Sequence, residues 1–272
     1  MDAYEEHASP QQIIRAVSRL LEGGGIGVLI TIISGSENVG AKLLVEQSGE
    51  VTGSLDNADL RNAAISQAKL FLDSRQEAKT IAVQEFAPQL QSDELLLFEW
   101  IRPEPRMVIC GAGHVGAALA TISALTGYHV TLIDDRSEFL KREKFPQPNV
   151  ELLVAENWTD AVRKAIGDGH GVAVAVVTRG HNEDEECMRA VVPVNPDYVG
   201  LIGSKRRTTI VIDRLRGAGA TPEQLQKIHA PIGLDIGAVS PEEVAIAILA
   251  EVICERRGGK GGSLSAWRRA RS

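Results

Sequence analysis

The sequence has 272 residues, a formal net charge of -7, 44% hydrophobic residues and 24% charged residues. These values are typical of one large or two modest globular domains, and they argue against a general nucleic-acid binder, because phosphate backbones favour clustered Lys and Arg. The three cysteines are scattered and no CxxC or HExxH pattern occurs, so we expect neither a disulfide scaffold nor a structural or hydrolytic zinc site. We see no leader-like segment and no apolar run of about 18 residues, which predicts a cytoplasmic protein without a membrane span.

The first part of the chain, residues 1–102, predicts a smaller α+β domain. Ser9 followed by Pro10 and Gln12 is typical of a helix start, and an apolar stripe at helical spacing follows. Ala58–Leu72 predicts a second helix. Runs of β-branched and apolar residues predict strands, which we expect to be antiparallel, at 26–33, 41–46, 80–86 and 94–101.

The segment Pro103-Glu104-Pro105 predicts a short, stiff linker. Beyond it, residues 106–255 alternate between strand and helix, which predicts an α/β domain with a parallel sheet covered by helices on both faces. The predicted strands are 107–110, 129–133, 150–154, 171–177 and 198–202, and the predicted helices are 115–124, 158–166, 183–191, 205–215 and 244–253. Capping boxes are predicted at Thr221 and Ser240. Residues 256–272 predict a basic flexible tail or, alternatively, a partner-docking tail carrying Trp267.

A glycine-rich loop lies between the strand at 107–110 and the next helix. Its glycines have the spacing G-x-G-x-x-G, in which the first allows a tight turn, the second lets the backbone approach a pyrophosphate, and the third allows close packing of helix and strand. An acid follows at the end of the next strand, where a ribose would bind. The order of these parts predicts a Rossmann-type unit with a nucleotide-type site formed by Gly111, Gly113, His114, Val115, Gly116, Asp134 and Asp135. The alternative is a tight turn with nothing bound.

Two further loops follow strands and should reach the same carboxyl edge of the sheet. The first contains Thr178, Arg179, His181 and Asp184. It could bind an anion, shuttle protons or ligate a metal, or it could simply begin a solvated helix. His181 with Asp184 is the candidate acid–base pair.

The second of these loops contains Gly203, Ser204, Lys205 and Arg206, and it predicts an anion cradle. The alternative is a Ser204 N-cap with solvated cations. A fourth loop, residues 229–237, is glycine-rich and apolar, with Asp235 as its carboxylate, and could be a lid, a site wall or a crossover.

Four motifs in order carry a family resemblance: CGAGHVGAALA…VTLIDDR, VVTRGHNEDEECMRAVV, YVGLIGSKRR and HAPIGLDIGAVSPEEVAIAILAEVI. Together they resemble the xanthine dehydrogenase accessory (XdhC/CoxI) family across 106–255, and residues 35–55 resemble the family's N-terminal domain more weakly. In one respect the chain departs from the pattern. Members often carry a Gly-Gly-Cys-x-Glu type segment after the Gly-Ser of the N-terminal domain, whereas this chain continues from Gly53-Ser54 with Leu-Asp-Asn-Ala-Asp and has no cysteine there. This difference puts thiol-based cofactor chemistry in that domain in doubt.

The resemblance implies a chaperone, rather than an enzyme, that binds molybdopterin or its dinucleotide as cargo and delivers it to an apo molybdenum hydroxylase of the xanthine dehydrogenase type. It also implies a homodimer, and a cysteine desulfurase or a molybdopterin nucleotidyltransferase as further partners. Carried over motif by motif, the glycine loop with Asp134 forms the nucleotide-type site. In the same resemblance, Arg179, His181 and Asp184 would form a second wall of this site. Ser204, Lys205 and Arg206 would form a third wall.

The sequence is also compatible with two other functions. One is an NAD(P)-dependent oxidoreductase, in which Asp134 and Asp135 would favour NAD over NADP because a 2′-phosphate would meet two like charges, with Arg136 weakening that preference. The other is a regulatory nucleotide sensor without chemistry.

Overall fold

The computed structural model describes residues 10–35, 38–55, 57–72, 74 and 76–265. The chain forms two compact units that divide between Pro103 and Glu104. The predicted N-cap at Ser9 and the predicted docking role of Trp267 lie outside the described residues.

The N-terminal unit is an antiparallel sheet with helices, as predicted. Its elements are α1 (Pro10–Glu22), β1 (Gly27–Ser34), β2 (Lys42–Glu46), β3 (Val51–Gly53), α2 (Ala58–Leu72), β4 (Ala78–Ala82), α3 (Val83–Phe86) and β5 (Leu95–Ile101). Within the described residues, the strands lie in the order β3-β2-β1-β5-β4, with every pair antiparallel. The larger apolar core of the unit includes residues of α2, such as Ala64 and Phe71, whereas α1 places Ala16 and Leu20 on Leu44.

One prediction in this unit is wrong, because residues 80–86 do not form a single strand. β4 ends at Ala82, and the chain turns into α3. The carboxylate of Glu85 accepts a hydrogen bond from the Ala82 N–H at 3.3 Å, which caps the turn. Val83 and Phe86 are three residues apart, so one helical turn brings them to the same side, and Val83 is fully buried.

The C-terminal unit alternates strands and helices. Its elements are β6 (Arg106–Cys110), α4 (His114–Leu125), β7 (His129–Asp134), β8 (Val150–Val154), α5 (Trp158–Ile166), β9 (Val172–Val176), α6 (His181–Val194), β10 (Tyr198–Leu201), α7 (Lys205–Gly217), α8 (Pro222–Gln226), β11 (Ile228–His229) and α9 (Pro241–Arg257). The strands described in this unit form one parallel sheet in the order β11-β10-β9-β6-β7-β8. This confirms the predicted fold class.

The strand order reverses between β6 and β9. From β6 the chain moves outward through β7 to β8, and it then returns to the other side of β6 for β9, β10 and β11. Such a switch point opens a crevice beyond the carboxyl ends of the two central strands. The loops after β6 and β9 border this crevice, and the loop after β10 lies next to them.

Helices cover both faces of the sheet, so the strands are apolar on both sides. Successive residues of β9 therefore enter two different cores. Val172, Val174 and Val176 pack in the core formed with α5, α6 and α7, and Ala173, Ala175 and Val177 pack in the core formed with α4 and α9.

The capping boxes predicted in this unit are confirmed. The Thr221 hydroxyl accepts from the Gln224 N–H at 3.3 Å, and the Ser240 hydroxyl accepts from the Glu243 N–H at 3.2 Å. Several boundaries differ from the prediction: α6 runs from His181 to Val194, α7 runs to Gly217, and α9 runs from Pro241 to Arg257 and so includes the start of the predicted tail. The short strand β11 was not predicted.

Candidate functional site

The glycine loop is shaped by backbone contacts that leave little room for side chains. Gly111 has φ +113°, and a Cβ there would lie 2.6 Å from the Val177 carbonyl oxygen. A Cβ on Gly116 would lie 1.8 Å from the Gly111 carbonyl oxygen. At Gly113, in contrast, a Cβ would meet no atom within 4 Å. The fold therefore requires the first and third glycines, whereas Gly113 leaves its backbone open to an approaching ligand.

The first turn of α4 lies directly behind Gly113. Its first intrahelical hydrogen bond runs from the Ala117 N–H to the Gly113 carbonyl at 2.8 Å. The N–H groups of His114, Val115 and Gly116 therefore have no acceptor within the helix, and they add to the partial positive charge of the helix N-terminus. His114 is exposed beside them. This arrangement suits a phosphate.

Asp134, at the end of β7, is buried and bonded on both oxygens. Its Oδ2 accepts from the Ala112 N–H at 2.7 Å and from Arg136 Nη2 at 3.0 Å, and its Oδ1 accepts from the Arg136 N–H at 3.0 Å and from Arg136 Nε at 2.9 Å. Burial alone raises the pKa of Asp134, but the hydrogen bonds from Arg136 and Ala112 outweigh it and the pKa is lowered. The ribose contact predicted for Asp134 would require Arg136 to move.

Asp135 is more accessible and forms a two-pronged ion pair with Arg179. The guanidinium Nη1 and Nη2 donate to its two oxygens at 2.9 and 2.8 Å. Asp135 is 30% exposed and Arg179 is 46% exposed, and Arg179 also lies 3.3 Å from the Glu183 carboxylate. Because β7 and β9 flank β6, this ion pair joins the segments on either side of the glycine loop.

The loop after β9 is fixed by a second, buried ion pair. Asp184 is fully buried, and it accepts hydrogen bonds from the Thr178 hydroxyl at 2.6 Å and from Arg207 Nε at 2.8 Å. Arg207 also donates to the Thr178 carbonyl at 3.1 Å. Burial raises the pKa of Asp184 despite the hydrogen bonds from Thr178 and Arg207, which lower it. Asp184 thus holds the loops after β9 and β10 together, whereas His181 is exposed at the start of α6.

The loop after β10 exposes its cations at the same edge. Ser204 is the N-cap of α7, and its hydroxyl accepts from the Arg207 N–H at 3.3 Å, as the alternative interpretation expected. Gly203 has φ +147°, and Lys205 and Arg206 are exposed. Both cations are accessible to an anionic ligand at this edge.

The fourth loop, residues 229–237, is held by hydrogen bonds to β10 and α9. The Ile232 N–H donates to the Leu201 carbonyl at 3.0 Å, and the Gly233 N–H donates to Glu251 Oε2 at 2.8 Å. Glu251 also accepts from the hydroxyl of Tyr198, whose ring stacks on His229 with centroids 4.6 Å apart. Burial, followed by the contact with Glu251, raises the pKa of Tyr198.

Two residues of the site, Arg136 and Arg207, were absent from the set predicted to bind cofactor. For Arg207 a signal existed: three cations in the first turn of a helix oppose its dipole, so at least one should have an acidic partner. The partner of Arg207 is Asp184, which is 23 positions away in the chain. For Arg136 the signal was its position directly after two aspartates.

Within the described residues, no group of three or more His, Cys, Asp and Glu side chains is placed to hold a metal ion. Among the helices that the structure describes, none is long and apolar enough to cross a membrane.

The strand order, the glycine loop and the acid at the end of β7 define the class as Rossmann-type. The model of the XdhC Rossmann domain matches residues 107–252, which is more than half of the chain. The chain therefore belongs to the XdhC family, and the resemblance inferred from the four motifs is confirmed.

Several known proteins are similar to this chain. The uncharacterized protein YqeB of Escherichia coli is 35% identical over 158 residues, covering 58% of this chain and 28% of YqeB. A probable xanthine dehydrogenase subunit of Bacillus subtilis is 29% identical, covering 62% of this chain and 48% of that protein. The molybdenum cofactor insertion chaperone PaoD of Escherichia coli is 27% identical, covering 57% and 41%. The chain thus spans less than half the length of these relatives.

A solved structure extends the likeness to most of the chain. The crystal structure of a xanthine dehydrogenase from Bacillus halodurans superposes with a TM-score of 0.65 and 21% identity, covering 91% of this chain and 67% of that one. At this identity the match shows a shared fold.

Proposed function

We propose that the chain binds the molybdenum cofactor, as molybdopterin or its dinucleotide, and delivers it to a hydroxylase of the xanthine dehydrogenase type. The observation that carries this proposal is the open backbone at Gly113, which lies at the N-terminus of α4 and at the switch point of a parallel sheet. Both forms of the cargo carry phosphate, and this geometry suits phosphate. Membership of the XdhC family and the names of two relatives support the direction of the proposal.

The charges at this edge suit an anionic cargo that must later be released. Lys205 and Arg206 are exposed, and Arg179 is held by an ion pair that is itself accessible. Cations at the rim raise the rate at which an anion arrives. Because exposed ion pairs stabilise a protein little, Arg179 can exchange one acidic partner for another at low cost.

The partners follow from the same proposal. The recipient is an apo molybdenum hydroxylase, and a cysteine desulfurase or a molybdopterin nucleotidyltransferase would act on the cargo before delivery. We further propose a homodimer that acts in the cytoplasm. The cysteines Cys110, Cys187 and Cys254 are free, which suits a reducing compartment.

One observation favours a second function, that of an NAD(P)-dependent oxidoreductase. The strand order and the glycine loop are those of domains that bind NAD(P). An oxidoreductase would also need a proton donor or acceptor at the reacting centre. Of the candidate pair, Asp184 is buried and bonded to Thr178 and Arg207, whereas His181 lies exposed on the surface. The geometry therefore favours a carrier.

Calorimetric titration tests the proposal directly. The full chain is titrated with molybdopterin, its cytidine dinucleotide, NAD and NADP, each under anaerobic conditions. Gly113→Asp places a like charge at the position where the phosphate is proposed to bind, and two like charges about 4 Å apart at an effective dielectric constant of about 20 repel each other by about 4 kcal/mol. We expect tight binding of at least one pterin form and a loss of affinity of at least about 100-fold in the variant.

The matched control is Gly217→Asp, the same substitution at another open position. A Cβ at Gly217 would meet no atom within 4 Å, and this residue is exposed at the end of α7. The control should bind like the unmodified chain. Binding of NAD alone, with turnover of a substrate, would contradict the proposal and support the oxidoreductase.

A further inference from the structure

A cavity of about 520 Å³ lies between α5, α6 and the connection from α7 to α8. Helices α6 and α7 run back from the carboxyl edge of the sheet, and their last turns line the cavity. The cavity therefore lies at the far end of these helices from the glycine loop. Its volume falls within the range of about 300–1,000 Å³ that small-molecule sites occupy. This makes it a candidate binding site separate from the crevice.

The inner wall of this cavity is apolar. Val192 and Leu215 line it and belong to the core formed with α5, α6 and α7, in which they are 8% and 3% exposed. Ala220, on the connection to α8, packs against the same core. An organic ligand that covers this wall removes apolar surface from water, which favours binding. The wall thus suits a ligand with an apolar body.

Two polar side chains of the lining are already used within the fold. The Thr159 hydroxyl donates to the Glu186 carbonyl at 3.3 Å. The Gln224 side-chain amide donates to the Val192 carbonyl at 3.3 Å. Both contacts hold α6 to a neighbouring element, so these two groups have a structural role and are not the ones left to bind a ligand.

The two arginines of the lining have donors to spare. In the part of the chain that the structure describes, the exposed Arg163 makes no hydrogen bond or ion pair. Arg189 donates to Glu185 through Nε and Nη2, at 3.1 and 2.8 Å, and Glu185 is shared with Arg214. Among the described residues that line the cavity there is no acid. The lining thus carries two cations and no carboxylate, which favours an anionic ligand.

We propose that this cavity binds a small organic anion, whose charged group contacts Arg163 and Arg189 and whose apolar body covers Val192 and Leu215. Pro193 adds one more feature to the expected ligand. As a proline it has no N–H, so the Arg189 carbonyl lacks the donor that residue 193 supplies in a regular helix. A ligand with an N–H or O–H beside its anionic group can donate to this carbonyl. The site goes beyond the proposed cofactor site and gives the chain a second ligand.

Fluorescence titration of the full chain with 1-anilinonaphthalene-8-sulfonate tests the proposal, because this compound combines an anion, an N–H and an apolar body. N-phenyl-1-naphthylamine, which has the same body and N–H without the sulfonate, is the matched compound. The variants are Arg163→Gln and Arg189→Gln, and the control is Lys164→Gln, an exposed neighbour outside the lining. In Arg189→Gln, Glu185 keeps its ion pair with Arg214. Thermal unfolding of each variant is measured first, so that binding is compared only between folded proteins.

We expect the sulfonate to bind with a Kd of about 10–100 µM, which suits a ligand of this size, and the uncharged compound to bind at least about 10-fold more weakly. Arg163→Gln and Arg189→Gln should each weaken binding of the sulfonate by about 10-fold, the effect of losing one charge-assisted hydrogen bond. Neither variant should change binding of the uncharged compound. Lys164→Gln should bind both compounds like the unmodified chain.

Gly113→Asp distinguishes the cavity from the glycine loop, because a sulfonate at the N-terminus of α4 would be repelled by the new carboxylate. We expect this variant to bind the sulfonate like the unmodified chain. A loss of binding in Gly113→Asp without a loss in Arg163→Gln would place the sulfonate at the glycine loop and overturn the cavity site. Equal binding of the two compounds, an equal loss in Lys164→Gln, or no binding of the sulfonate at millimolar concentration would overturn it as well.

Discussion

Removing the Asp184 carboxylate should destabilise the C-terminal unit by about 3 kcal/mol. Asp184 is fully buried, and it accepts hydrogen bonds from Thr178 and Arg207. Breaking a buried ion pair by deleting one partner costs about 3–5 kcal/mol, because the other charge is left without compensation. Arg207 is 28% exposed and retains its bond to the Thr178 carbonyl, so the lower end of that range applies to Asp184→Ala.

Thermal unfolding by scanning calorimetry measures this effect. For a unit of this size, 1 kcal/mol shifts the midpoint by roughly 2–4 °C, so Asp184→Ala should lower the Tm by about 6–12 °C. Glu186→Ala, an exposed residue of the same helix, is the control and should change the Tm by about 2 °C or less. The double variant Asp184→Ala/Arg207→Ala should be less destabilised than the sum of the single variants. A shift below about 2 °C for Asp184→Ala, or strict additivity in the double variant, would refute the stabilising role of this ion pair.

Three further predictions concern the glycine loop, the fourth loop and the acid at the end of β7. Gly116→Ala should lower the Tm of the C-terminal unit by at least about 10 °C, because the new Cβ would lie 1.8 Å from the Gly111 carbonyl oxygen; an unchanged Tm would contradict the packing described for this loop. Glu251→Ala leaves the buried Tyr198 hydroxyl without its acceptor and should lower the free energy of unfolding by about 1–3 kcal/mol. A urea titration should therefore show unfolding at a lower midpoint concentration, with an unchanged dependence of the free energy on urea; an unchanged midpoint would contradict this contact. Asp134 has a lowered pKa when folded, so its stabilising contribution is present above its unfolded pKa of about 3.9 and is lost as the pH falls through the folded pKa. Asp134→Asn should therefore lose less stability below about pH 4 than the unmodified chain does, and parallel pH profiles would count against this linkage.

Local patterns in the sequence predicted most of the elements well. The limits of α2, α5 and β8 agree with the prediction residue by residue, because apolar periodicity and turn residues mark their ends. The capping boxes at Thr221 and Ser240 are likewise local signals, since each involves residues three positions apart. The prediction failed at residues 80–86, where β4 ends at Ala82 and the Glu85 carboxylate accepts a hydrogen bond from the Ala82 N–H at the start of a short helix.

The site was predictable as a set of loops but not as a network of partners. The alternation of strands and helices predicts parallel strands, whose carboxyl ends meet at one edge of the sheet, so the loops after β6, β9 and β10 were expected at that edge. The pairing of Asp135 with Arg179 joins residues 44 positions apart, and that of Asp184 with Arg207 joins residues 23 positions apart. No periodicity carries such information. The sequence also could not show that Asp134 is bonded to Arg136 on both oxygens, because both the burial of the carboxylate and the position of the guanidinium depend on the folded unit.

The central claim, that the chain carries and delivers a molybdenum cofactor, is tested most directly by a transfer assay. The full chain is loaded with the cofactor, freed of excess ligand and mixed with an apo hydroxylase of the xanthine dehydrogenase type, and the recovered hydroxylase activity is followed over time. We predict faster and more complete activation than with the same amount of free cofactor, lost in Gly113→Asp and retained in Gly217→Asp. Activation no better than that by free cofactor, or equal activation by both variants, would contradict the claim.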